Sequence, residues 1–344
     1  MKNIIVTGGT GYIGSHTVVE LLNQDYQVHI VDNLSNSDVS MVDRIYEITG
    51  KVPEFTNLEL RDKAAVDSFF SKQKNVDGII HFAALKSVGD SVKRPLEYYE
   101  NNLLSLTNLL KASSKSNITN FVFSSSCTVY GEPDKLPVTE DSKIGFTPSP
   151  YGATKQMCER IIEDYVYANE SLKAISLRYF NPLGAHKSKL IGELPSGIPN
   201  NLLPYITQTA IGLRDFLSVF GSDYNTHDGT AVRDYIHVVD LATAHVKALN
   251  YLDKQSKSIH EKLNIGTGVG LTVIDVIHSF EKTSGISLNY KMMGRREGDV
   301  ESIYADPSKA ETMLGWKAKY NIDDMTKTAW EWERKLRGID SDLV

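Results

Sequence analysis

The chain of 344 residues reads as an α/β protein: a doubly wound parallel sheet followed by a smaller α/β region. Three observations predict this. Short β-rich runs alternate with longer stretches of helical spacing through the first half. The strand runs are almost continuously apolar, as parallel strands covered on both faces must be. A glycine-rich turn joins the first strand to the first helix.

The expected strands are Asn3–Thr7, Gln27–Val31, Gly78–Phe82, Asn120–Ser125 and Ala174–Leu177. Helical spacing falls between them, at Gly14–Leu22, Val39–Ile48, Ala64–Lys72, Pro95–Ser113 and Tyr151–Tyr167. After Asn181 the pattern loosens into a Gly- and Pro-rich stretch, Pro182 to Pro199. A helix is expected after Asn200-Asn201, with Asn as its N-cap, and others after Asp240 and Thr272. This second region is expected to lie over the carboxyl edge of the sheet. The reading divides the chain into domains 1–180 and 181–344, the later chain being free to return to the first domain.

Composition narrows the class. Hydrophobic residues make up 41% and charged residues 23%, a globular balance. A net charge of −6 gives no basic footprint for nucleic acid, so an anionic ligand must be held by a few local cations. Two cysteines, Cys127 and Cys158, are too few for a disulfide framework, and a reducing cytoplasmic setting is expected. No apolar run reaches membrane-spanning length, and Met1-Lys2-Asn3 is too short a lead for a signal peptide. The nine histidines lack metal-site spacing, and no metal is expected.

Gly8, Gly11 and Gly14 follow the first strand and open the first helix with GxxGxxG spacing. Such a turn lets the backbone approach a pyrophosphate, and the helix N-terminus offers it free N–H groups. The Gly-Lys-Ser/Thr ending of a P-loop is absent. Asp32 ends the next strand about 20 residues on, where a carboxylate binds the adenosine ribose hydroxyls and repels a 2′-phosphate. Strand, glycines, helix and acid in this register predict a Rossmann-type dinucleotide site, with NAD favoured over NADP.

Tyr151 and Lys155 form a YxxxK sequence opening a helix. Residues four apart share a helix face, and an ammonium near a phenol lowers its pKa, which suits proton transfer near neutrality. Pro148-Ser149-Pro150 can set the helix entry. By itself the pattern is weak, since a Tyr–Lys pair is usually a surface pair. Ser124-Ser125-Ser126 ends the fourth of these strands, at the sheet edge where active groups sit. Ser126 there can bond a substrate hydroxyl and share its proton with Tyr151, although serines at such places also cap turns. No GxSxG elbow surrounds Ser126, which excludes a hydrolase of that type.

Together these residues resemble the extended short-chain dehydrogenase/reductase family and, within it, the UDP-hexose 4-epimerases. The likeness runs over nearly the whole chain. It includes Gly8–Ser15, His81–Gly89, Tyr98–Asn102, Ser124–Gly131 and Ser149–Gly152, then Arg178–Pro182, Gly197–Leu202, Asp228–His237 and Gly294–Asp299. The second-half motifs are the more specific to epimerases. The resemblance implies interconversion of UDP-galactose and UDP-glucose by transient oxidation at C4 with tightly bound NAD, in a homodimer formed through the long helices Pro95–Ser113 and Tyr151–Tyr167. It makes 1–180 the NAD-binding domain and 181–344 the UDP-sugar-binding domain. Ser126, Tyr151 and Lys155 are its catalytic residues, and they also line the cofactor.

Further NAD contacts are implied for Gly8, Gly11, Tyr12, Ile13, Gly14, Asp32, Asn33, Leu34, Ser35, Asn36, Glu59 and Leu60. Phe82, Ala83, Ala84, Lys86, Asn101 and Phe180 continue the cofactor site. The UDP-sugar is implied to meet Lys86, Ser126, Tyr151, Asn181, Asn201, Leu202, Phe220, Arg233, Arg296, Asp299 and Ile303. Two arginines can clamp a diphosphate.

Three positions depart from the family pattern. Glu59-Leu60 stands where an aspartate normally meets the adenine. Cys127 replaces a common alanine and reads as a small buried hydrophobe. Ile303 stands where a tyrosine excludes N-acetyl sugars and a small residue admits them. The alternatives are therefore a UDP-N-acetylglucosamine 4-epimerase, a dual-specificity enzyme, or a non-catalytic NAD- and UDP-sugar-binding protein. A 4,6-dehydratase needs a carboxylate pair after the serine, where Cys127-Thr128 stands.

Overall fold

The computed structural model describes residues 1–199, 201–296 and 299–339. Asn200 of the expected helix start, Glu297-Gly298 of the last motif and the final five residues of the 181–344 region lie outside the described residues.

The first part of the chain runs β1 (Asn3–Thr7), α1 (Tyr12–Asn23), β2 (Gln27–Asp32), α2 (Ser40–Thr49), β3 (Glu54–Asn57), α3 (Lys63–Lys72), β4 (Gly78–His81), α4 (Val88–Lys93), α5 (Pro95–Lys115), β5 (Asn120–Ser126), α6 (Pro150–Ala168) and β6 (Lys173–Tyr179). The elements expected from sequence are present, several one to three residues longer. The sequence reading lacked β3, of whose four residues Glu-Phe-Thr-Asn only Phe55 is apolar, and the six-residue α4.

The remainder runs β7 (Asn181–Leu183), α7 (Leu202–Ala210), β8 (Leu217–Phe220), β9 (Val232–His237), α8 (Val238–Leu252), β10 (Ile259–Ile265), β11 (Gly270–Thr272), α9 (Val273–Ser284), β12 (Tyr290–Met293), β13 (Ser302–Ile303), α10 (Ser308–Leu314) and α11 (Ile322–Leu336). Thr272 caps α9 through a reciprocal capping box with Asp275. Asn201 stands at the α7 N-cap, but its side chain does not cap the helix; its amide donates to Glu193 instead.

Seven parallel strands form the main sheet in the order β10-β6-β5-β4-β1-β2-β3. The sequence reverses direction between β1 and β4, the switch point where ligands bind beyond the carboxyl ends. The sheet takes its edge strand β10 from well past residue 180. Alternation across the pleat explains the continuous apolar strands. Ile4, Val6 and Ile80 pack against Val18 and Val19 of α1 and Leu241 and Ala244 of α8. Ile5, Ile79 and Phe121 face Phe70 of α3, Leu106 and Leu109 of α5 and Ile162 of α6. A third cluster, with Leu203, Ile206, Tyr235, Ile277, Phe280 and Met325, holds the second region together. There β9 pairs with β7, β11 and β13, while β8 pairs with β12.

Candidate active site

The glycine turn is built for close approach. Gly8 has φ +70°, and a Cβ there would fall 2.7 Å from the Ala83 nitrogen. A Cβ on Gly14 would fall 2.1 Å from the Gly8 carbonyl oxygen. The helix can therefore enter the turn only if both residues are glycine. Gly11 is the N-cap of α1, and none of the described side chains caps this helix start, so its N–H groups remain to meet an anion.

Asp32 is buried at the end of β2. Its carboxylate accepts from the Thr10 amide at 3.2 Å, the Leu34 amide at 3.0 Å and the Ser37 hydroxyl at 3.1 Å. Those bonds fix it beside the glycine turn. Asn33 donates to Glu59 Oε2 at 3.0 Å and accepts from the Ser35 amide at 3.0 Å. The hydrogen bond from Arg61 pulls the Glu59 carboxyl down to about 2, so it is ionised. Leu60 is buried, Ile13 partly so, and Asn36 is exposed at the loop tip. Cradle, free helix terminus and acidic strand end fit a dinucleotide.

Not every expected contact is made by the side chain's polar atom. The Tyr12 hydroxyl donates to the Gly184 carbonyl at 2.6 Å, tying α1 to the loop after β7. Past β4, Phe82 donates its amide to Thr7 at 3.0 Å, and its ring lies tilted 4.6 Å from the His245 ring. Asn101 donates to Asn102 at 3.0 Å. Asn102 in turn shapes the Ala83–Lys86 loop, accepting from the Leu85 amide at 2.9 Å and donating to its carbonyl and to Thr154.

Ser126 is the last residue of β5, and α6 brings Tyr151 and Lys155 toward the same sheet edge. Ser149 caps α6, accepting from Gly152 at 3.2 Å, with Pro150 in the first turn. All three candidate catalytic side chains are buried. Lys155 donates to the Ser124 carbonyl at 2.6 Å, and its ammonium lies 5.7 Å from the Tyr151 ring centre. Burial brings the Lys155 pKa down to about 8. Burial also pushes the Tyr151 phenol well above its ordinary range, partly offset by the Ser126 hydroxyl. The YxxxK spacing led us to expect a lowered phenol pKa; in the folded site desolvation is the larger influence. Ser126 also accepts from the Thr128 amide at 3.2 Å, so the capping role and the active-site position coexist in one residue.

Near Cys127, the residue after Ser126, lies a charged group that includes Arg233. Asp299 accepts from Arg296 at 2.9 and 3.0 Å in a two-pronged pair, and Arg233 approaches it at 3.9 Å. The Arg296 guanidinium lies 5.6 Å from the half-exposed Phe220 ring. Ile303 pairs with Arg233 in the β13–β9 register and is buried in one cluster with Cys127 and Phe180. The Cys127 thiol, raised to about 12 by burial, feels the Arg233 charge and is in turn felt by Tyr151. Cys127 therefore joins the catalytic trio to the arginine side. Asn181 opens β7 directly after Phe180, and Leu202 opens α7 beside Asn201.

Sequence reasoning did not single out Asn102, Ser37 or Glu193. Asn102 had a signal: it falls four residues from both Tyr98 and Leu106 on the buried face of α5, a polar residue at a core position. Ser37 and Glu193 lie in aperiodic loops, where no pattern marks them. Beneath the trio, Glu159 accepts from Ser125 at 2.6 Å and from Arg178 at 2.7 and 2.9 Å. Arg178 continues to Tyr130, and Tyr130 to Asn264 at 2.6 Å, binding β5, β6 and β10 together.

A dinucleotide cradle facing a buried Ser–Tyr–Lys set defines an enzyme of the extended short-chain dehydrogenase/reductase class. A family model described as GDP-mannose 4,6 dehydratase matches residues 5–329. The UDP-glucose 4-epimerase of Pasteurella multocida (strain Pm70) is 50% identical over 332 residues, covering 96% of this chain and 97% of that protein. The UDP-glucose 4-epimerase of Drosophila melanogaster is 50% identical over 336 residues, 96% of each chain. The structure of UDP-glucose 4-epimerase from Bifidobacterium longum in complex with NAD+ and UDP has TM-score 0.94 and 46% identity, covering 98% of this chain and 100% of that one. The chain belongs to the UDP-glucose 4-epimerase family.

Proposed function

We propose that this protein interconverts UDP-galactose and UDP-glucose by transient oxidation at C4. The observation that carries the reading is the buried Ser126–Tyr151–Lys155 set at the end of β5, linked through Cys127 to Arg233 and from there to Asp299 and Arg296. NAD, when bound on the Gly8–Gly14 cradle with Asp32 toward its adenosine ribose, supplies a hydride acceptor for C4. Tyr151 takes the proton from the 4-hydroxyl oxygen as C4 gives up its hydride, and returns it to that same oxygen once the sugar has turned and C4 regains the hydride on its opposite face. Ser126 bonds that hydroxyl and orients it. Lys155, held by the Ser124 carbonyl, keeps its ammonium 5.7 Å from the Tyr151 ring centre. Arg233 and Arg296 hold the diphosphate, with Asn181, Asn201, Leu202 and Phe220 around the nucleotide and sugar. The UDP is the main anchor, and the hexose, held less tightly, can turn over. Residues 1–180 chiefly serve the cofactor and 181–344 the nucleotide sugar.

Leu96 and Leu104 of α5 and Met157 of α6 are exposed, which supports a homodimer through these helices. Both cysteines are free thiols, which supports a cytoplasmic setting. Among the described residues no helix is long and apolar enough to cross a membrane.

The decisive measurement is conversion of UDP-galactose beside UDP-N-acetylgalactosamine, with bound dinucleotide released by denaturation and identified. Conversion of the first with stoichiometric NAD is the expected outcome. Stoichiometric NAD without conversion of either sugar would favour a non-catalytic binding protein. A second reading, dual specificity, is favoured by Ile303, which is smaller than tyrosine. Ile303→Tyr should then depress the N-acetyl reaction at least tenfold more than the other.

A further inference from the structure

We propose that Glu193 is a positioning residue that holds the cofactor-side Lys86 and the sugar-side Asn201 in fixed relation to each other. The inference rests on the epimerase reading above.

Three observations meet at this carboxylate. Its backbone is clamped: the Trp332 indole donates to the Glu193 carbonyl at 3.3 Å, and the preceding Gly192 lies flat on that ring, where a Cβ would come within 2.4 Å. The chain therefore delivers the side chain from a fixed base, although the surrounding loop has no regular structure. The carboxylate then faces two ways. Glu193 Oε1 lies 3.6 Å from the Lys86 ammonium, at the end of the loop that follows β4. The same oxygen accepts from the Asn201 amide nitrogen, at the entrance to α7. The Glu193 side chain is only 12% exposed, while Lys86 at 53% reaches it from the surface, as does the exposed Asn201, so the carboxylate is the fixed member of both contacts. Tyr12, at the start of α1, also feels this charge.

The Asn201 contact has a chemical consequence. A residue at an N-cap ordinarily turns its carbonyl oxygen to the helix N–H groups. Asn201 forgoes this cap. Its NH2 must point at Glu193, because a carboxylate can only accept. The amide orientation is thereby set, and its carbonyl oxygen is the atom left for a ligand hydroxyl to donate to. Lys86, on the other side of the carboxylate, can only donate. Glu193 thus presents one donor and one acceptor at a set spacing, one from each half of the site. Such local conflict between a capping position and its side chain is characteristic of functional sites.

Because Glu193 acts through Lys86 and Asn201, its loss should weaken sugar-nucleotide binding more than chemistry. In Glu193→Gln we expect KM for UDP-galactose to rise five- to twentyfold with kcat within threefold of the parent, and NAD to remain stoichiometric. In the Asn201→Ala background the same substitution should change KM by no more than twofold. Glu193→Asp, which keeps the charge, should restore part of the loss. A Glu193→Gln KM within twofold of the parent would overturn the proposal, as would full additivity with Asn201→Ala. An equal fall in kcat and stability with KM unchanged would assign Glu193 a merely structural role and overturn it too. If Glu193→Gln does not fold, Glu193→Asp and its double variant with Asn201→Ala carry the same comparison. An inactive parent would instead refute the epimerase reading, so the two failures are separable.

Discussion

The Lys155 ammonium donates to the carbonyl of Ser124 at 2.6 Å, two residues before Ser126 on the same strand. This bond pins α6 to the end of β5 and sets Tyr151 against Ser126. Burial lowers the Lys155 pKa to about 8. A lysine with a lowered pKa is charged below it and neutral above it. Turnover that depends on the ammonium should therefore decline as pH rises through about 8. A kcat profile flat to pH 10 would count against this role.

In the proposed mechanism Tyr151 moves the proton at the sugar oxygen. Removing only its hydroxyl, in Tyr151→Phe, should cut kcat by about 100- to 10,000-fold, the usual worth of a positioned acid–base group. Bound NAD, measured after denaturation, should stay near one per chain. Near-parental turnover in this variant would remove Tyr151 from the mechanism.

Gly14 has no room for a side chain, since the obstacle is the Gly8 carbonyl of the turn itself. Gly14→Ala should force turn and helix apart, costing about 1–3 kcal/mol as overpacking does and releasing most of the NAD. Full NAD content with an unchanged melting temperature would show that the turn can yield.

Arg178 and Glu159 form a deeply buried ion pair, with side chains 3% and 6% exposed. Arg178→Met strands a carboxylate in the core and should cost about 3–5 kcal/mol. Replacing both partners by apolar residues should cost less than Arg178→Met alone. Denaturant titration of the three variants tests this ordering.

Burial holds His16 and His81 down to about 3, and His237, His245 and His260 to about 4. In the unfolded chain histidine titrates near 6.5. Between these values the unfolded state binds more protons, so stability falls as pH drops from about 6.5 toward 4. Each histidine contributes about 1–2 kcal/mol to that loss by pH 5. The denaturation midpoint should therefore drop steadily between pH 7 and pH 5, and a level profile would contradict the buried neutral state.

Much of the fold was legible because it follows from periodicity. β1, β2, β4, β5 and β6 carry apolar side chains on both faces, and the long helices between them carry amphipathic spacing. β3 was not legible, because an edge strand of Glu-Phe-Thr-Asn buries too little to show a pattern. The glycine turn and Asp32 were legible because backbone approach admits few residue types. The Tyr151 electrostatics were not, since helical spacing reports direction along a helix but not how much solvent surrounds the ring. Glu193 was not legible either: its place depends on Trp332, 139 residues away, and no local pattern carries a contact of that range.

The placing of β10 beyond β6 has a consequence for how the protein comes into being. β6 exchanges its outer hydrogen bonds with Ile259–Ile265, and α8 covers the face of the sheet that α1 begins to cover. A nascent chain that has emerged only to residue 180 has an open strand edge and an uncovered apolar face, both invitations to mispairing. Residues 1–180 cannot finish folding until the chain through β10 has been made. The order of synthesis thus defers a complete dinucleotide-binding sheet until β9 and its Arg233 are already part of the chain.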